Sequence, residues 1–147
     1  MELNLDGIKD ASLWKGYRLP EYDIVKMCNT TKDNPVWLHF GAGNIFRAFI
    51  CAAAQKLLNE GAADTGIICA ESSFGTEIIT ECYRPHDNLC VSVTLNPDGS
   101  IDKEVVGSVA ESLTVAYDMD RISDIVCAPS LQLVSFTITE KGYAIKD

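Results

Sequence analysis

Apolar positions in this chain come in short runs cut by glycine, proline and asparagine, and their period changes sharply at one place. Residues 36–40 (Val-Trp-Leu-His-Phe) form an apolar run bounded by Asn34-Pro35 and Gly41, which predicts a buried strand. Gly41-Ala42-Gly43 predicts a tight turn. From Ile45 the pattern is helical, with Phe49, Ala52, Ala53, Lys56 and Leu57 following at steps of three and four. That helix is predicted from Asn44 or Ile45 to Asn59, with Gly61 as its stop. The small residues Cys51-Ala52-Ala53-Ala54 permit close packing, and Gln55, Lys56, Asn59 and Glu60 mark its wet side.

A second buried strand is predicted over 66–71, ending in Glu71. A helix follows over 75–83, with Ile78, Ile79 and Cys82 inward, ended by Arg84-Pro85-His86. Residues 89–95 alternate, Asn96-Pro97-Asp98-Gly99 is a turn, and 101–109 continue extended, which makes a β-hairpin. Residues 112–115 read as a brief extended piece or part of a loop. A helix over 118–127 would bury Met119, Ile122, Ile125 and Val126, and a strand over 131–138 would lie beside the first. Ahead of all this, residues 1–35 read as a polar arm with a short helix over 21–28 that partly buries Tyr22, Val25 and Met27. Residues 36–147 read as the domain proper.

Composition narrows the picture. At 147 residues the chain is one domain with a substantial core. The net charge of −9 is scattered and no basic patch is visible, so no nucleic-acid partner is expected. No apolar run approaches the roughly 20 residues of a membrane span, so no membrane partner is expected. The first ten residues do not resemble a secretory signal. Six cysteines stand singly, with no C-x-x-C pair, so zinc is not expected, and reduced thiols in a cytoplasmic protein are.

The candidate chemistry lies where the period changes. Strand, glycine turn and helix in that order suit a dinucleotide. Gly41 turns the chain without a Cβ clash. Gly43 lets the backbone approach a diphosphate, and the first helical turn offers unpaired N–H groups and a positive dipole end. The third glycine of the common fingerprint is replaced by Phe46, which implies a helix set further off or a side chain turned outward. Glu71 follows Gly43 at somewhat more than the usual spacing of about 20 residues. It either accepts the adenosine ribose hydroxyls, favouring NAD over NADP, or is a polar strand terminus; Ser72 and Ser73 could hydrogen-bond nearby. His39 reads as a satisfied core histidine and His86 as a surface residue. Glu140 and Lys141 either border a site or form a generic turn. A methyltransferase-like domain would place an acid just before the turn, where this chain has His39-Phe40. Neither a complete catalytic set nor a metal-ligand cluster is present in the sequence.

Three segments carry a resemblance. Residues 39–50 (His-Phe-Gly-Ala-Gly-Asn-Ile-Phe-Arg-Ala-Phe-Ile) are similar to the opening motif of the mannitol dehydrogenase family, the polyol-specific long-chain dehydrogenases and reductases. Leu19-Pro20-Glu21-Tyr22-Asp23 resembles the family's arm before the first strand, and residues 135–143 resemble its Ser-hydrophobic-Thr-hydrophobic-Thr-Glu-x-Gly-Tyr segment. In that family the third position need not be glycine and an arginine follows it, as Arg47 does here. The resemblance implies an α/β, Rossmann-like fold: a mostly parallel doubly wound sheet with helices on both faces, an inserted β-hairpin, and truncation. It implies NAD held by Phe40, Gly41, Ala42, Gly43, Asn44, Ile45, Phe46, Arg47 and Glu71. The full protein would interconvert a sugar alcohol or aldonate (mannitol, mannonate or altronate type) and its keto form. The family's catalytic lysine, with asparagine and histidine partners, belongs to a later helical domain, so no catalytic residue is expected here and the chain alone should be inactive. The competing reading is a non-catalytic NAD-binding sensor or regulatory module.

Overall fold

The computed structural model describes residues 1–72 and 75–138. Ser73, Glu140 and Lys141 lie outside the described residues. The run before the glycine turn forms strand β1 (Trp37–Phe40), and the next apolar run forms β2 (Ile67–Glu71). The alternating segments pair as the predicted antiparallel hairpin, β3 (Cys90–Leu95) with β4 (Ile101–Val106). The extended stretch after Ile101 does not continue in that hairpin. It breaks at Gly107 and Ser108, and β5 (Val109–Thr114) joins the other sheet. Residues 112–115, read as a brief extended piece or loop, thus belong largely to a core strand. With β6 (Leu133–Phe136) the main sheet has the order β5-β2-β1-β6, and every neighbouring pair is parallel.

Both faces of this sheet are covered. Along β2, Ile67 and Cys69 join one apolar cluster and Ile68 and Ala70 another, as the period of two requires. Phe46, Cys51, Ala54, Ile79 and Tyr83 pack on the first face; Ile122 and Ile125 pack on the second. The helix α1 (Ile24–Asp33) is capped by the Asp23 side chain, which accepts from the Lys26 N–H. It begins later than the predicted 21–28, and it buries Ile24, Met27 and Thr31 while Val25 is exposed. Its cluster also contains Trp14, Leu58, Leu89, Val105 and Ala110. Backbone bonds between Arg18 and residues 103 and 105 lay the N-terminal segment along β4.

The helix after the glycine turn starts at residue 44, as predicted, but its winding is uneven. Phe46–Cys51 is π-helical and α2 (Ala52–Asn59) is regular. A π turn bonds i to i+5, so Phe46 and Cys51 share a side, followed by Ala54, Gln55 and Leu58. Of the residues that carried the helical period, Phe49 is 71% exposed and Leu57 is exposed too. Gln55, placed on the wet side from its polarity, is fully buried. Its Nε2 donates to Glu104 Oε1 and the Val105 carbonyl, and its Oε1 accepts from the Gly107 N–H and the Tyr22 hydroxyl.

A second π-helical stretch, Ile78–Tyr83, turns Tyr83 inward and leaves Cys82 exposed, reversing the predicted face at that end. In α3 (Met119–Val126) only Ile122 and Ile125 are buried; Met119 and Val126 face solvent. No helix among the described residues is long and apolar enough to cross a membrane.

Candidate functional site

The chain leaves β1 toward β2 on one side, and β6 returns to β1 on the other. The carboxyl ends of β1 and β6 thus flank a topological switch point, the crevice where open α/β sheets bind ligands. Two backbone bonds extend the ladder into the crevice: Gly41 N–H to the Ala70 carbonyl at 2.9 Å and Thr137 N–H to the Phe40 carbonyl at 3.0 Å. A cavity of about 550 Å³ opens there, lined by Gly41, Gly43, Asn44, Ile45, Glu71, Phe136, Thr137 and Ile138. Beside it, Phe40, Ser72 and Val115 line a continuation past the ends of β2 and β5.

The two glycines differ in what they require. Gly41 has φ +108°, and a Cβ there would run into Thr137 Oγ1. Its identity is fixed by the fold. Gly43 has no positive φ, and a Cβ there would meet no heavy atom within 4 Å. Nothing in the described protein demands glycine at 43.

Glu71 spans the crevice floor. Its Oε2 accepts from the Ala42 N–H at 2.7 Å and its Oε1 from the Ser72 N–H at 2.8 Å. A carboxylate has about four lone-pair sites, so among the described residues each oxygen keeps one for another donor. Gly75 packs against this side chain: a Cβ there would stand 2.7 Å from Glu71 Cγ.

Ala42 and Phe46 are fully buried. Ala42 offers only backbone; its carbonyl accepts from the Tyr83 hydroxyl at 2.9 Å. Phe46 neither turns outward nor holds the helix away. It stacks on the buried His39 ring with centroids 4.2 Å apart and planes 4° apart. The π turn, with Cys51 and Ala54 behind it, makes that room.

Arg47 lies on the other side of the helix start. Its guanidinium donates to Asn44 Oδ1 and sits 5.7 Å from the Tyr83 ring centroid. With His86, Ser92 and Cys90 it lines a separate groove against the hairpin. Burial pushes the Cys90 thiol up to about 11, against the pull of Arg47. Asn44 lines both cavities and is the link between them. His86 Nδ1 pairs with the Leu3 carbonyl at 2.9 Å.

The crevice thus gathers Phe40, Gly41, Gly43, Asn44, Ile45 and Glu71, with Ala42 behind them, and leaves Phe46 in the core and Arg47 in the neighbouring groove. Sequence reasoning assigned no role to Thr137, Phe136 or Gly75. The signal available for the first two was their place at the carboxyl end of a strand beside β1. Gly75 gave none, because its neighbour Glu71 is met only through the fold.

No family model matches the chain. It is 47% identical, over its whole length, to a D-mannonate oxidoreductase of Thermotoga maritima, and spans 28% of that protein. It superposes on a D-sorbitol dehydrogenase solved in substrate-free form with a TM-score of 0.82 and 27% identity, covering all of this chain and 29% of that one. A Pseudomonas fluorescens mannitol 2-dehydrogenase, solved in a ternary complex with NAD and D-mannitol, has the same fold, with a TM-score of 0.83 and 24% identity over 99% of this chain and 28% of its own. The chain therefore spans less than a third of the length of the relatives it matches. With a parallel β5-β2-β1-β6 sheet and a glycine turn at its switch point, the chain is similar from end to end to part of a D-mannonate oxidoreductase and shares the fold of sorbitol and mannitol dehydrogenases.

Proposed function

We propose that the crevice holds NAD, and that the protein to which this chain belongs interconverts a sugar alcohol or aldonate and its keto form. The observation that carries the reading is Gly43: a position on the crevice wall with no steric need for glycine from the protein, one residue before helical backbone begins. A diphosphate there would lie against main-chain N–H groups and the positive end of the helix. Gly41, Gly43, Asn44 and Ile45 would face it. Arg47 contributes by holding the Asn44 side chain.

Glu71 keeps acceptor capacity for a ribose diol and offers a negative charge against a 2′-phosphate, which favours NAD over NADP. When bound, NAD exchanges a hydride with a carbinol carbon. This chain's residues bind and orient it. A cytoplasmic location fits the six free cysteines.

Calorimetric titration of the chain with NAD and NADP tests the reading. Saturable NAD binding, with weaker NADP, is the expected result; no heat with either at millimolar concentration would overturn it. The same chain assayed with mannitol, mannonate and altronate should show no turnover.

A further inference from the structure

His39 has no role in the reading above, yet it is a fully buried polar side chain in the strand that carries the glycine turn. Its Nδ1 lies 2.7 Å from Ser135 Oγ and its Nε2 lies 3.2 Å from Thr137 Oγ1, both on the neighbouring β6 segment. The protonation of the ring follows from counting hydrogens. Trp37 Nε1–H can only donate, and it points at Ser135 Oγ at 2.7 Å, so that oxygen accepts there. Ser135 then has one hydrogen left, and His39 Nδ1 is the acceptor beside it. A proton on Nδ1 would instead aim two donors at Ser135 Oγ and strand the serine hydrogen.

Nδ1 is therefore bare and Nε2 carries the proton, which it donates to Thr137 Oγ1. Thr137 passes its own hydrogen to the Gly41 carbonyl at 3.4 Å. Trp37, Ser135, His39 and Thr137 form one directed chain whose last acceptor is the glycine turn. The stack on Phe46 closes the ring plane from one side and fixes its angle.

We propose that His39 is a positioning residue for the nucleotide loop, a neutral imidazole protonated at Nε2 that holds Gly41 against the end of β6 through Thr137. Its effect on cofactor affinity rests on the dinucleotide reading; its tautomer does not. Gly41 sits with φ +108°, a conformation that other contacts must hold in place. The hydrogen bond from Thr137 to its carbonyl is one such contact.

Long-range proton–nitrogen correlation of the imidazole in the ¹⁵N-labelled chain, at neutral pH, reads the tautomer directly. The expected pattern is a neutral ring with the proton on Nε2; an Nδ1–H ring or an imidazolium overturns the proposal. Cofactor titration of His39→Leu and His39→Gln then reads the positioning. Loss of one net hydrogen bond predicts NAD affinity lower by about three- to tenfold in His39→Leu. Partial recovery is expected in His39→Gln, whose amide can still donate toward Thr137. Unchanged affinity in a folded His39→Leu overturns the proposal. Should His39→Leu not fold, Thr137→Val removes the last link alone and must show the same loss. If the unsubstituted chain takes no NAD, the dinucleotide reading fails, and the ring spectrum still decides the assignment of His39.

Discussion

Glu71 and Ala42, 29 residues apart in sequence, are joined by a 2.7 Å hydrogen bond from the Ala42 N–H to Glu71 Oε2. The bond ties the end of β2 to the turn that follows β1. The carboxylate therefore shapes the glycine loop as well as facing the crevice, and a change at 71 is felt at both.

The two loop glycines should separate folding from binding. Gly41→Ala meets Thr137 Oγ1 and strains a φ of +108°, a fault of about 1–3 kcal/mol. Gly43→Ala meets nothing. Thermal melts should show a clear drop for the first and little change for the second, while calorimetry should show NAD binding lost in both. A folded Gly43→Ala that binds NAD normally would remove the main support for the proposed site.

Gly75→Ala should act like a mutation of Glu71. The added methyl stands 2.7 Å from Glu71 Cγ, so the carboxylate must move off the Ala42 and Ser72 N–H groups. Hydrogen bonds to charged groups are worth about 1.5–3 kcal/mol, so NAD affinity should fall roughly tenfold or more, as in Glu71→Gln. The NAD-to-NADP preference should shrink in both variants, which paired titrations would reveal.

Burial holds the His39 imidazole below its ordinary value, partly offset by the Gly41 backbone and the Glu71 charge. The folded protein then binds this proton less readily than the unfolded chain. Stability from this group is complete above about pH 6.5, the ordinary imidazole value, and is lost as pH falls from there toward the lowered folded value. Urea midpoints from pH 8 to pH 5 should decline in the parent and decline less in His39→Leu, after subtracting the carboxylate background common to both.

Gln55→Leu tests the buried amide that joins α2 to the segment after β4. The substitution orphans the Gly107 N–H, whose 2.7 Å bond to Gln55 Oε1 is buried. A cost of about 1–3 kcal/mol is expected for the stranded group, measurable by denaturant titration. A neutral result would mean that water replaces the amide there.

Strands β1, β2 and β6, the hairpin and the glycine turn were legible because each is written in neighbouring residues. Residues 36–38 and 67–70 are apolar without interruption, and Asn96-Pro97-Asp98-Gly99 can do little but turn. The face of the helix after Gly43 was not legible, because a π turn shifts the phase and no local residue announces it. Gln55 was misread for a related reason: its partners Glu104, Val105 and Gly107 lie about 50 residues away. Strand β5 hid behind Glu111, Ser112 and Thr114. Ser112 Oγ donates to Asn88 and Thr114 Oγ1 to Asp118, so these polar residues fit a strand buried almost throughout. Glu71 and the turn were found from strand-turn-helix logic, whereas Thr137 and Gly75 become meaningful only once the chain has folded around them.

Strand β6 shows Leu133, Val134 and Phe136 to solvent and, among the described residues, lends only one margin to a neighbour, β1. Such a border welcomes any extended backbone drifting past, a duplicate of itself included. A concentrated preparation of this chain will clump on storage, and lysine in place of Val134 will keep it dispersed.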